Sequence, residues 1–171
     1  MSFETSGALD MSTPEAKREA YRQLRAQVQS VFEGERNQLA NLAQFSALIF
    51  GAVPDLNWAG FYMADDGGRE ELILGPFQGK VACVRIPFSR GVCGASARTR
   101  EIQLVKDVHA FPGHIACDSA SQSELVLPVV VNGRLIGVFD MDSPSLARFD
   151  EEDARGMGEA LALLAQATDW A

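Results

Sequence analysis

Apolar residues recur at helical spacing near the start of the chain and alternate with other residues through most of its remaining length. Ser12-Thr13-Pro14-Glu15 reads as a capping box with proline in the first turn, which predicts a helix from there to about Phe32. Leu39, Leu42, Ala43 and Leu48 then share one face of a second helix from about Glu35 to Phe50, stopped by Gly51 and Pro54. From Asn57 to Met63 the period is that of a strand, with Trp58, Gly60 and Tyr62 on one face and Ala59, Phe61 and Met63 on the other. Asp65-Asp66-Gly67-Gly68 is a turn into a strand from Glu71 to Leu74, and residues 75–80 read as a loop. Next come a short strand from Cys83 to Ile86, a short helix from Gly91 to Thr99 and a strand from Ile102 to Val105. Leu125 to Val131 and Leu135 to Met141 flank Asn132-Gly133, a strong two-residue hairpin signal. Phe149-Asp150-Glu151-Glu152-Asp153 opens a last helix that runs to about Thr168. Helices bracketing an antiparallel sheet predict one α+β domain over residues 12–171, with its N- and C-terminal helices packed together on one sheet face. Residues 1–11 read as a flexible leader.

The 171 residues suffice to bury a core without metals or disulfides. No apolar run approaches bilayer length, and the first residues have neither the basic patch nor the apolar core of a secretory signal. The expectation is a cytoplasmic protein that does not enter a membrane. Fifteen basic residues against 23 acidic ones give a net charge of −8, with no Lys/Arg cluster. Such a surface repels phosphate backbones and anionic lipid, which argues against nucleic-acid and membrane partners.

In a reducing compartment cysteines are catalytic, metal-binding or simply buried, and this chain has three. Cys117 lies in Phe111-Pro112-Gly113-His114-Ile115-Ala116-Cys117-Asp118, a polar, turn-rich stretch that suits a reactive thiolate better than an inert buried thiol. Cys93 falls at the start of the short helix, where the dipole favours a thiolate, and Cys83 could be plain core. His109 and His114 are the only histidines, and no Cys-x-x-Cys or His-x-x-x-His spacing is present, so no structural zinc site is expected. For His114 a turn-stabilising role is the simpler reading.

Asp140 and Asp142 are two apart on the second hairpin strand and project from one face, which suits a cation such as an ammonium group. Glu124 would be a third carboxylate, but an ideal two-residue hairpin sets it opposite Met141, on the wrong face. A three-carboxylate site therefore requires either a bulge, expected near Pro128, or Glu124 in the preceding loop. Trp58 and Tyr62 read first as core and second as walls for a methyl or cationic group.

Several stretches together resemble the free methionine-(R)-sulfoxide reductases, a family built on the GAF fold. They are Asn57-Trp58-Ala59-Gly60-Phe61-Tyr62, Leu74-Gly75-Pro76-Phe77-Gln78-Gly79-Lys80, Gly91-Val92-Cys93-Gly94, residues 107–118, Ser121-Gln122-Ser123-Glu124 and Gly137-Val138-Phe139-Asp140-Met141-Asp142-Ser143. The likeness spans about residues 14–168. Val81 and Ser89 depart from residues the family often has as proline and glycine. The resemblance implies that Cys117 attacks the sulfur of free L-methionine-(R)-sulfoxide and becomes a sulfenic acid. It implies Cys83 as the resolving cysteine, with Cys93 as an auxiliary or alternative partner, and thioredoxin as the external reductant with no bound cofactor. Glu124, Asp140 and Asp142 would line the substrate site, with Glu124 as proton donor and Trp58 and Tyr62 walling the methyl sulfoxide. The substrate carboxylate would meet backbone N–H groups of the loop before Cys117, and a homodimer is compatible with the fold. The alternative is a GAF-type small-ligand or redox sensor without turnover.

Overall fold

The computed structural model describes residues 7–171. Helix α1 (Pro14–Val31) is capped by Thr13, whose hydroxyl accepts from Ala16 N–H at 3.0 Å. The expected reciprocal box is absent because Ala16 stands where an acidic side chain would have to reach back. Helix α2 (Gln38–Ala52) starts later than its apolar pattern suggests, since Asn37 takes the cap position and accepts from Ala40 N–H at 3.0 Å.

Six strands form one antiparallel sheet: β1 (Trp58–Ala64), β2 (Glu71–Gly79), β3 (Arg85–Pro87), β4 (Gln103–Val105), β5 (Ser123–Val131) and β6 (Arg134–Ser143), in the order β3-β2-β1-β6-β5-β4. Helix α3 (Gly91–Thr99) connects β3 to β4, and α4 (Glu151–Ala167) ends the fold. The α+β single domain is as expected, including the N- and C-terminal helices on one face. Three boundaries differ. Residues 75–79, expected as loop, continue β2, because a bulge sets Gly75 and Pro76 against Phe61 alone and so accommodates the proline. β3 begins only at Arg85, which leaves Cys83 in the loop before it. Of the expected leader, residues 1–6 lie outside the described residues. Leu9 and Met11, by contrast, are buried in the core, and Leu9 N–H donates to Ala52 O at 2.8 Å, so the packed domain starts before residue 12.

The sheet separates two apolar clusters. The larger one joins α1, α2 and α4 to the face carrying Ala59, Phe61, Leu125, Phe139 and Met141. Phe139 meets Phe45 edge-on at 5.0 Å and Phe61 at 4.8 Å. Such aromatic pairs contribute about 0.5–1.5 kcal/mol each beyond burial. Gly156 lets α4 close on α1: a Cβ there would lie 2.1 Å from the Tyr21 ring. Behind that contact, fully buried Asp153 accepts from Lys17 Nζ at 2.5 Å and from Tyr21 OH at 2.8 Å. Removing either partner of such a buried ion pair costs about 3–5 kcal/mol. The smaller cluster, on the opposite face, packs Trp58, Tyr62, Leu72, Val126 and Val138 under Val92, Cys93 and Ala97 of α3. No helix among the described residues is long and apolar enough to cross a membrane.

Candidate active site

The β5–β6 hairpin decides where the carboxylates meet. Asn132 and Gly133 both have positive φ (51° and 77°), as a tight two-residue turn of this kind requires. Val130 pairs with Leu135 but Val129 pairs with Gly137, so Ile136 is an extra, unpaired residue on β6. This bulge moves Glu124 from opposite Met141 to opposite Asp142. The anticipated bulge is therefore present, slightly nearer the turn than Pro128 and on the partner strand. Gly137 comes directly after it because β1 passes very close: a Cβ would lie 2.2 Å from Tyr62 O.

With that register, Glu124, Asp140 and Asp142 share a face with Trp58, which pairs with Asp142, and with Gly60, which pairs with Asp140. These carboxylates form the floor of a pocket walled by Trp58 and Tyr62, flanked by Cys93 and Val92 of α3, and roofed by His114, Ile115, Cys117 and Asp118. Trp58 and Tyr62 are both core and wall: they are buried yet line the pocket, their rings stacked at 5.6 Å, with Phe77 stacked behind Trp58 at 5.2 Å. Each spends its polar handle on the loop before β3. Trp58 Nε1 donates to Lys80 O at 3.2 Å, and Tyr62 OH donates to Cys83 O at 3.0 Å. The residues that form the wall thus also hold the Cys83 loop.

Cys83 and Cys117 are joined by a disulfide across the pocket rim, with Cα atoms 5.7 Å apart. Both are only partly buried, so the reading of Cys117 as a solvent-near thiol fits, whereas Cys83 as plain core does not. The Cys117 loop is tied down at several points. Gly91 N–H donates to Gly113 O at 3.0 Å, Asn57 Nδ2 donates to Asp118 Oδ2 at 3.1 Å and to Ser121 Oγ at 3.0 Å, and Gln122 N–H donates to Ser143 O at 2.8 Å. The N–H groups of His114 and Cys117 are engaged inside the loop, by Phe111 O at 3.2 Å and Ile115 O at 3.1 Å. Those two therefore do not serve a substrate carboxylate without rearrangement.

Cys93 is the free cysteine, and it is buried. Its expected activation by the α3 dipole is overturned by its neighbours. Burial, then Asp140, Glu124 and Asp142, push its thiol well above the usual range. Glu124 is likewise held well above the usual carboxylate range, first by burial and then by Asp140 and Asp142. Burial raises Asp142 too, with Asp140 and Asp118 adding to it. Asp140 is pushed up only to about 6, because burial is opposed by hydrogen bonds from Glu124 and Cys93. Of the three carboxyls, Asp140 is thus the one held least far above its ordinary range, while burial and its acidic neighbours favour the neutral form of Glu124. Asp140 Oδ1 is buried without a hydrogen-bond partner among the described residues, an arrangement that is costly unless something enters the pocket to meet it.

His114, expected to stabilise a turn, does bond within it through its N–H to Phe111 O, and its ring also reaches the pocket. Its Nε2 lies 4.0 Å from Glu124 Oε2, its side chain is mostly buried, and burial followed by His109 lowers its basicity. Its place three residues before Cys117 in the same loop was the one available signal. Asn57, which anchors Asp118 and Ser121, carried no such signal, since both partners lie more than 60 residues away. Cys93, Glu124 and Asp140 also offer donor atoms that all lie within 4.8 Å of one another.

Comparisons with known proteins agree with this architecture. The GAF domain model matches residues 40–169. The free methionine-R-sulfoxide reductase of Escherichia coli is 49% identical over 148 residues, covering 86% of this chain and 88% of that protein. The X-ray structure of free methionine-R-sulfoxide reductase from Neisseria meningitidis in complex with its substrate matches at a TM-score of 0.86 and 43% identity, over 96% of this chain and 95% of that one. A structure described as a putative GAF sensor protein from Burkholderia vietnamiensis matches at a TM-score of 0.84 and 53% identity, over 89% and 95% of the two chains. On these similarities the chain belongs to the free methionine-(R)-sulfoxide reductase family, built on the GAF-domain fold.

Proposed function

We propose that this chain reduces free L-methionine-(R)-sulfoxide to L-methionine, with Cys117 as nucleophile, Cys83 as resolving cysteine and a dithiol protein of the thioredoxin class as external reductant. The observation that carries the reading is the Cys83–Cys117 disulfide at the rim of a pocket floored by buried carboxylates. A small-ligand sensor has no need of this bond, and a redox sensor would form it without releasing methionine, which turnover distinguishes.

In the reduced protein the Cys117 thiolate attacks the sulfoxide sulfur. The sulfur–oxygen bond breaks, oxygen passes to Cys117 as a sulfenic acid, and methionine leaves by way of a protonated intermediate. Glu124 is the proton donor in this reading, since burial and the neighbouring aspartates favour its neutral form. The Cys83 thiol then attacks the sulfenic sulfur and expels water, forming the disulfide. Two electrons from the external dithiol restore both thiols.

Asp140, ionised and unpartnered at Oδ1, takes the substrate ammonium together with Asp142. Trp58 and Tyr62 wall the sulfur end. Selectivity for the free amino acid follows, because a methionine inside a peptide lacks the ammonium and would leave a buried charge unpaired. The test is turnover, with thioredoxin, its reductase and NADPH, of the free (R)-sulfoxide, the free (S)-sulfoxide and a sulfoxide-containing peptide. Turnover confined to the free (R)-form is expected. Tight binding of methionine without any turnover would move the chain to the sensor class.

A further inference from the structure

We propose that Cys93, Glu124 and Asp140 form a site for one soft divalent cation of the zinc–cadmium class at the pocket floor. Cysteine and histidine spacing along the chain argues against a structural zinc site. The fold assembles instead what spacing does not, a sulfur from α3, a carboxylate from β5 and a carboxylate from β6. Their ligand atoms all lie within 4.8 Å of one another, and Cys93 Sγ is 3.9 Å from Glu124 Oε1. Donors around a tetrahedral ion with zinc-like bond lengths sit about 3.5 Å apart, so modest side-chain movement closes the shell.

His114 Nε2 approaches only the far oxygen of Glu124, at 4.0 Å, so the three residues are the core of the shell and the imidazole would have to swing in to complete it. A further sign that a cation belongs here is Asp140 Oδ1, the atom that would also meet a substrate ammonium: it is buried in a residue only 5% exposed and has no hydrogen-bond partner among the described residues. The ligand class is set by the donors. One thiolate and two carboxylates, with solvent or the His114 imidazole in a fourth position, suit zinc(II), cadmium(II) or cobalt(II), whereas magnesium and calcium require oxygen shells this cluster does not supply. Binding releases the Cys93 and Glu124 protons to solvent and involves no redox change. Because the same carboxylates face the proposed substrate ammonium, occupation would exclude substrate. That consequence rests on the functional reading, whereas the site itself does not.

The test exploits the disulfide. In the oxidised, untagged protein, Cys83 and Cys117 are bonded and Cys93 is the one free thiol of the three cysteines. The protein is stripped with EDTA, desalted and titrated with cadmium(II), with the sulfur-to-cadmium charge-transfer absorption recorded. No substrate is present, so failure here is distinct from failure of the reductase reading. The expected result is a band that saturates at one equivalent and survives excess calcium, with affinity lowered about tenfold or more in Glu124→Gln and in Asp140→Asn. No band at one equivalent in the wild-type protein would overturn the proposal, as would a band of unchanged affinity in both variants.

Discussion

Asp140→Asn should make the protein more stable at neutral pH while crippling it as an enzyme. Asp140 is 5% exposed, its carboxyl is pushed up to about 6 from an ordinary 3.8, and one oxygen has no partner. For an acid raised in the folded state, both states are protonated below 3.8 and the carboxyl carries no penalty. Between 3.8 and about 6 the unfolded chain ionises first, so the folded state loses stability as pH rises; above about 6 the loss is complete. At about 1.4 kcal/mol per pH unit the full penalty is about 3 kcal/mol. The asparagine removes it, and also relieves the Asp140 charge that raises Glu124 and Asp142, which acts in the same sense. Urea unfolding of the oxidised, EDTA-treated proteins at pH 3.5 and pH 7.5 measures this. The variant should gain about 3 kcal/mol relative to wild type between the two, whatever constant offset the amide introduces. In turnover, loss of the ammonium partner should raise KM at least about 30-fold. A stability difference that does not change with pH, or one that changes in the opposite direction, would refute the assignment of Asp140 as the ionised carboxylate.

Cys117→Ser should abolish turnover yet retain methionine binding, as measured by calorimetry, since the pocket floor is untouched. Cys83→Ser should release about one methionine per chain from free (R)-sulfoxide and then stall, because the other thiol of the pocket, Cys93, is buried and held protonated by its acidic neighbours; sustained turnover in thioredoxin assays would argue against its resolving role. Glu124→Gln should lower kcat by about 10²–10⁴-fold with the disulfide still able to form, read by single-turnover kinetics. Gly137→Ala, with a Cβ only 2.2 Å from Tyr62 O, should lose about 1–3 kcal/mol in urea unfolding, and no loss would show that β1 and β6 are looser than described.

Much of the fold was legible because each element carries its own local signal. The period-two run at Trp58–Met63 and the Asn132-Gly133 turn are decided by residues close in sequence, and α3 fell where its pattern put it. β2 was cut short because Gly75-Pro76 reads as a loop. Only its pairing with β1, where a bulge absorbs both residues against Phe61, extends the strand. The register of Glu124 shows the same limit from the other side. Local reading identified the conflict between a tight turn and a shared carboxylate face, but could not tell which strand would bulge. Ile136 is the extra residue, and Gly137 beside it is where β1 presses closest. Cys93 was misjudged for a related reason: its helix position is local, while the three acids that hold its proton arrive from β5 and β6. Leu9 and Met11 looked like part of a leader because two apolar residues make no periodic pattern, and their core partners lie on other elements.

The most direct test of the central claim is a single turnover without external reductant. Fully reduced protein is mixed with one equivalent of free L-methionine-(R)-sulfoxide, and released methionine is counted alongside the disulfides mapped by mass spectrometry. The expected result is one methionine per chain and a stoichiometric Cys83–Cys117 bond, with Cys93 still a free thiol. Methionine release that leaves Cys83 reduced, or a disulfide that runs to Cys93 instead, would contradict the claim.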